Sequence, residues 1–311
     1  AAPLLASLPA VAQTYPERPI KIIVPLPPGS PPDVLARHLA DAISRNWKQP
    51  VVVDNRPGAT GMVGMQALAR SAPDGYTMGV MFLTHTVLPE LIGPLPYNTA
   101  TDFAPVANLV WLYNVLVVPA ASSIQSLQDL VNQARAQPNM LTYGSGGNGS
   151  PAHLVAESFC QASGIKMTHV PFKGPAEAVS ALLGNQVNAM FATVPAAANL
   201  SRSGKLRAIA VTSPQRQAAL PGVPTLAERG VQGVEVKEWE GLVAPAGTPK
   251  AILDKWNQEL FQVLASPEAR AKLADLGMTV APPNNGAEFG DLIRKELDHW
   301  ARFVRSTGLR A

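Results

Sequence analysis

Three times in this chain a short apolar or β-branched run is followed at once by a turn rich in glycine and proline, and then by a helix start. Ile20–Val24 runs into Pro25-Leu26-Pro27-Pro28-Gly29-Ser30 and a helical pattern through Val34, Leu35, Leu39 and Ile43. Val51-Val52-Val53 leads through Asn55-Arg56-Pro57-Gly58-Ala59-Thr60-Gly61 to a helix carrying Met62, Met65 and Leu68, which Pro73-Asp74-Gly75 stops. Leu141–Gly144 leads through Ser145-Gly146-Gly147-Asn148-Gly149-Ser150-Pro151 to Leu154, Val155 and Phe159. Ser30-Pro31 and Ser150-Pro151 supply the same cap followed by a first-turn proline. Asp33 stands three residues after Ser30, where its carboxylate is expected to return to the cap's amide. Aligning the two Ser-Pro pairs lays Val34-Leu35-Ala36 over Leu154-Val155-Ala156, so the two halves share a layout.

The rest of the chain repeats the alternation. Tyr76–Leu83, Val187–Phe191 and Leu206–Val211 read as strands, as does His169-Val170-Pro171 ahead of Phe172-Lys173-Gly174-Pro175 and a helix through Val179, Leu182 and Leu183. A helix follows near Leu127–Ala136, and three more near Thr248–Ala265, Pro267–Leu276 and Ala287–Thr307. The last shows Phe289, Ile293, Trp300 and Val304 on one face, which is a core stripe. Strands alternating with helices through short loops predict an α/β fold of mixed sheets flanked by helices. Two long apolar stretches, Val106–Val118 and Val234–Ala244, read as crossings between two domains. With 311 residues the chain is too long for one ordinary core. The expected division is a first domain of residues 13–112 plus 240–311 and a second of 113–239, facing each other across a cleft.

Several functional classes are disfavoured. The formal charge is only +3 and no Lys/Arg run occurs, so nucleic acid is not an expected partner. No segment is apolar over the ~18–20 residues that a membrane span needs. Residues 1–12 are apolar, uncharged and close on Ala10-Val11-Ala12; they read as a signal-peptide remnant, which implies a secreted location. The single cysteine, Cys160, excludes an internal disulfide and sits in a buried helical pattern. Neither G-x-S-x-G nor H-E-x-x-H is present, and the five histidines are not spaced as metal ligands. Gly58, Gly61 and Gly64 lack the spacing of a dinucleotide-binding turn, and no P-loop occurs. No catalytic residue, metal or cofactor is therefore expected.

What remains is an anion trap. A strand end, a glycine turn and a helix start present unpaired N–H groups at the positive end of a helix dipole. Candidate contacts are Gly29 and Ser30 in the first turn, and Ser145, Gly147, Asn148 and Ser150 in the third. Thr84 and His85 follow a strand end, and Lys173 stands at a helix start. Capped turns are the alternative for Ser150 and His85, and plain exposure for Lys173. Arg56 reads as a loop brace; Trp239 either covers the cleft or packs at the hinge.

Many ordered blocks resemble one family, the Bug-type periplasmic receptors of tripartite tricarboxylate transporters. They include Asp54-Asn55-Arg56-Pro57-Gly58-Ala59, Ala72-Pro73-Asp74-Gly75-Tyr76-Thr77, Gly147-Asn148-Gly149, His169-Val170-Pro171-Phe172-Lys173-Gly174, Leu220-Pro221-Gly222-Val223-Pro224-Thr225 and Ala244-Pro245-Ala246-Gly247-Thr248-Pro249. The resemblance implies a two-domain type II periplasmic-binding-protein fold, a Venus flytrap that closes on small carboxylates with the help of bound water. It also implies a periplasmic location and an inner-membrane partner with a large and a small subunit; a monomer is expected. By matching positions it places the pocket at Gly29-Ser30, Thr60-Gly61, Thr84-His85, Ser145–Ser150, Lys173-Gly174 and the segment after Phe191, that is Ala192 and Thr193. Members of the family often carry glycine at Ser30, aspartate at Ala192 and asparagine at Leu88. Losing that aspartate argues against an amino-acid ligand, and together the departures suggest an aromatic or long aliphatic dicarboxylate. A periplasmic ester hydrolase using Ser145, Ser150 or His153, and a solute sensor for a signalling membrane protein, are the competing readings.

Overall fold

The structure, a computed structural model, describes residues 15–234 and 236–308; the signal-peptide reading of residues 1–12 lies outside them. Among the described residues no helix is long and apolar enough to cross a membrane.

The first half builds β1 (Ile20–Val24), α1 (Pro31–Trp47), β2 (Val51–Asn55), α2 (Met62–Ala69), β3 (Thr77–Phe82), α3 (Thr84–Leu91) and β4 (Phe103–Leu112). Then come β5 (Asn114–Pro119), α4 (Leu127–Ala136), β6 (Thr142–Ser145), α5 (Pro151–Ser163), β7 (Thr168–Pro171), α6 (Pro175–Leu183), β8 (Ala189–Thr193), α7 (Val194–Arg202) and β9 (Leu206–Val211). The chain returns through β10 (Glu238–Pro245) and ends with α8 (Lys250–Leu264), α9 (Pro267–Asp275), β11 (Met278–Val280) and α10 (Gly286–Thr307).

These strands form two sheets, ordered β11-β4-β10-β3-β1-β2 and β7-β6-β8-β5-β9. Both are mixed: β1 runs parallel to β2 and β3 while β10 is antiparallel to β3 and β4; β6 runs parallel to β7 and β8 while β5 is antiparallel to β8 and β9. Helices cover both faces of each sheet, which is why β5 is buried at every residue and its sequence is an unbroken apolar run after Asn114. One face of the first sheet packs Leu35, Leu39 and Ile43 of α1 against Trp256 and Leu260 of α8. Its other face carries Met65, Val87, Trp239, Phe289 and Trp300, and this apolar cluster continues without a break to Leu130 and Phe159 over the second sheet. The remaining face of the second sheet is closed by Leu182 of α6 and Ala197 of α7. Each sheet with its helices is termed a lobe below.

The apolar stretch 106–118 divides at Tyr113: β4 ends at Leu112 in the first sheet and β5 begins at Asn114 in the second. The return segment enters the first sheet at Glu238, whose carboxylate accepts a hydrogen bond from the Asn114 side-chain amide. That bond ties the first residue of β10 to the first residue of β5 across the crossing. Trp239 is fully buried and meets Phe289 edge-to-face at 5.3 Å, so it packs under α10. Cys160 is buried, as its helical context predicts, and burial pushes its thiol up to about 12.

Three elements appear that the sequence pattern does not announce. α3 begins without a side-chain cap and contains Pro89, α7 is only nine residues long, and β11 is three residues long. α3 and β11 carry too few of the signals that mark longer elements, and the start of α7 follows β8 without an intervening turn.

Candidate functional site

The turn after β3 is short: Thr84 and His85 open α3 two residues past Phe82, and both are buried. The Nδ1 of His85 lies 3.1 Å from both the amide nitrogen and the carbonyl oxygen of Phe82. Burial drives the imidazole down to about 3, so it is neutral near pH 7. Its Nε2 is buried and has no hydrogen-bond partner among the described residues. Facing it is Gly61, where an added Cβ would lie 2.7 Å from Nε2. Gly61 also takes φ +96°, and Gly58, Ala59 and Thr60 before it have φ of 137°, 45° and 55°. The second turn is thus wound left-handed throughout, bringing a side-chain-free residue against the one unspent nitrogen of His85.

The first turn is arranged differently from the expectation. Asp33 does not return to the Ser30 amide; its carboxylate accepts from the Gly29 amide at 2.8 Å, while the amide and hydroxyl of Ser30 both donate to the carbonyl of Pro27. Arg37 grips both carboxylate oxygens and Asn55 donates a further bond. Burial works against the Asp33 charge, but the bonds from Arg37, the Gly29 amide and Asn55 outweigh it and hold the carboxyl below its ordinary value. The start of α1 is therefore already occupied by an anion of the chain itself. The helix dipole at this end is answered from within.

In the third turn Ser145 is fully buried; its hydroxyl accepts the Gly147 amide at 3.1 Å and lies 2.6 Å from Nε2 of His169. The Gly149 amide donates to Nδ1 of His153 at 3.1 Å, and the Ser150 amide to the Gly147 carbonyl at 3.1 Å. Ser150 precedes α5 but its hydroxyl does not cap the helix; it is buried and has no partner among the described residues.

The lobes meet at these turns. Thr84 Oγ1 of the first lobe donates a long bond, 3.5 Å, to the carbonyl of Gly149 in the second, and a Cβ on Gly149 would lie 2.7 Å from Cδ1 of Leu91. A second contact brings Gly277, before β11, against Pro195 at the start of α7. His85 and Ser150, the residues next to the Thr84–Gly149 contact, each hold a buried polar atom with no hydrogen-bond partner among the described residues.

The model of the tripartite tricarboxylate transporter family receptor matches residues 35–309. The chain belongs to this receptor family. BugT of Bordetella pertussis is 37% identical over 309 residues, 97% of this chain and 93% of its own. Among solved structures, a Rhodopseudomonas palustris protein with adipate is 31% identical, covers 96% of this chain and all of its own, and superposes with a TM-score of 0.85. MatC from the same organism, with bound malate, is 29% identical over 93% of this chain and all of its own, with a TM-score of 0.81. The two-domain α/β fold expected from the receptor family is the one observed, and family members are solute-binding proteins.

Set against this receptor fold, the residues expected at the site fall into three groups. Gly61, Thr84, His85, Ser145, Gly147 and Ser150 lie in the converging turns just described. Thr60, Asn148, Lys173 and Thr193 are exposed and spend no side-chain polar atom among the described residues, and Gly174 precedes α6 with an extended backbone. Gly29 and Ser30 have their donors committed, and Ala192 is buried in the core between the second sheet and the α6/α7 face. Two residues that carry the third turn, His153 and His169, were not among the expected contacts; nothing in their sequence spacing shows that they meet.

The contact between Ser145 and His169 has the reach of a nucleophile and its base. Yet Ser145 has no exposed surface, and its hydroxyl is already held by Gly147. Among the described residues no group of three or more His, Cys, Asp or Glu side chains is arranged to hold a metal.

Proposed function

We propose that this receptor-family chain works in the periplasm as a monomer, captures a small dicarboxylate, aromatic or aliphatic, between its lobes, and delivers it to the membrane subunits of a tripartite tricarboxylate transporter. The division expected at 113–239 moves at its second boundary to before Glu238, because Glu238 and Trp239 already pair with Leu112 and Trp111 in the first sheet; the lobes hinge at Tyr113 and in the link before β10. The observation that carries the reading is the meeting of Thr84 and Gly149, flanked by an unspent buried nitrogen on His85 and an unspent buried hydroxyl on Ser150. Buried polar atoms without partners cost free energy, so a ligand that supplies them is favoured there. Neutral His85 can donate from Nε2 when its Nδ1 accepts from the Phe82 amide, and Ser150 donates from its hydroxyl; both suit a carboxylate. Thr60, Asn148, Lys173 and Thr193 are free to reach the remainder of the ligand. Two relatives of the same fold hold adipate and malate, both dicarboxylates. Ala192 and Leu88 are buried and apolar, which leaves an ammonium group without a carboxylate at those positions. Capture requires no bond making, and the chain is not an enzyme in this reading.

A thermal-shift screen over mono-, di- and tricarboxylates and amino acids tests it. A ligand at 100 times its Kd adds ~2.7 kcal/mol of stability. Adipate-like or terephthalate-like acids are expected to raise the midpoint most; the ligand class is wrong if citrate or an amino acid does so, and the receptor reading is wrong if no carboxylate does.

A further inference from the structure

Two imidazoles lie beneath the Ser145–Ser150 turn, one bonded near each end of it. His169, on β7, reaches Ser145 Oγ at 2.6 Å, and His153, on the first turn of α5, accepts the Gly149 amide at 3.1 Å. Their rings stack on one another with centroids 3.8 Å apart and planes 9° from parallel. Tyr143, on the strand that feeds the turn, stacks on His169 at 4.9 Å and 20°, and its hydroxyl is bonded to the Glu157 carboxylate of α5. Two bonds and one stack therefore set the separation between the two ends of the turn.

Such a device is useful because of what the turn is made of. Gly147 and Gly149 hold φ of 117° and 71°, and glycine has more unfolded conformations to lose than any other residue. A loop left to order itself on binding would draw that cost from the ligand's affinity. A leucine or phenylalanine at 153 would fill the space equally well, but it would leave the Gly149 amide without an acceptor. Burial, reinforced by the neighbouring His169, lowers His153 to about 3, and burial lowers His169 to about 4, so neither ring carries charge near pH 7. With Nδ1 accepting, the proton of His153 resides on Nε2.

We propose that His153 and His169 are positioning residues for ligand capture, a stacked clasp that holds the Ser145–Ser150 turn in its binding shape and aims the Gly149 carbonyl at Thr84 before any ligand arrives. The clasp rests on the carboxylate reading of the cleft for its purpose, but its effect on the turn is measurable without a ligand.

The experiment compares wild type with His153→Asn, whose side-chain oxygen can accept near the place of Nδ1, and with His153→Leu, which cannot accept. Adipate affinity is measured by calorimetry, and hydrogen exchange of the Gly149 amide is measured in the absence of ligand. His153→Leu should weaken adipate binding by about tenfold or more and speed exchange at Gly149, while His153→Asn, which keeps the acceptor but loses the stacked ring, should fall between His153→Leu and wild type in both. If His153→Leu binds adipate and protects Gly149 as wild type does, the clasp is overturned. Should wild type bind neither adipate nor any other carboxylate, the functional reading falls by itself; the exchange comparison still decides the clasp, since equal protection in the two variants removes it. Ser145→Ala, which releases the other grip, gives the same readouts if His153→Leu does not fold.

Discussion

Gly61 and His85 fit closely together, and they can be probed one residue at a time. An alanine at 61 would need φ +96° and would drive its Cβ to 2.7 Å from the His85 nitrogen. Gly61→Ala should cost ~1–2 kcal/mol in urea unfolding and also weaken ligand binding, because it covers the nitrogen left for the ligand. A stable variant with full affinity would show that His85 Nε2 does not face the ligand. Glu238 gives a pH-dependent prediction. Burial raises its carboxyl to about 7, against a smaller opposing effect of the Asn114 bond, and burial together with Glu238 pushes Glu240 well above its ordinary value. Between about pH 4.5 and 7 the folded state holds the Glu238 proton that the unfolded state has released. Its contribution is thus most favourable in acid and is lost as pH rises through 7. Glu238→Gln, which keeps a partner for Asn114, should be more stable than wild type at pH 8 by roughly 1–3 kcal/mol and indistinguishable from it at pH 4. Parallel stability curves from pH 4 to pH 8 would contradict this. At this scale the sequence indicated where polar groups stand but not which were spent. That Thr84 and His85 stand just past the end of a strand was legible from the apolar run before them. The capture of the Gly29 amide by Asp33 was not, because it depends on Asn55 arriving from β2 to join Arg37, one turn along α1, at the carboxylate.

Between elements, β10 and α10 are joined by a missing side chain. A Cβ on Gly241 would fall 2.2 Å from Cζ of Phe289 and 2.7 Å from the Ala107 carbonyl, so α10 can lie on the sheet only because residue 241 is glycine. Gly241→Ala should destabilise the protein by ~1–3 kcal/mol through overpacking, read as a lower urea midpoint, and should leave affinity for adipate nearly unchanged, since neither Gly241 nor Phe289 belongs to the converging turns. Equal loss of affinity and stability would tie α10 to the site. Long elements were legible: α1 and α5 through their Ser-Pro starts, and α10 through its apolar stripe. The short ones were not. α3 holds a proline in its interior and lacks a capping side chain, so its helical state is imposed by burial of Val87 and Leu91 rather than announced by pattern. The run 106–118 carries no turn signal that would divide it, and its split at Tyr113 is fixed by which sheet each half joins.

For the molecule as a whole, two mixed sheets carry their glycine turns to a common boundary, where, in the function proposed above, a ligand completes hydrogen bonds that neither lobe completes alone. The division into two halves was visible in the repeated strand, turn and helix start; the meeting of the turns was not, since it depends on how the lobes face each other. The central claim is that one ligand is held by both lobes at once. Amide spectra of isotope-labelled protein, recorded with and without saturating adipate, test it most directly. The signals of Gly61 and His85 in the first lobe and of Gly147, Gly149 and Ser150 in the second are expected to move together as one binding event. Shifts confined to a single lobe, or to residues away from these turns, would contradict it.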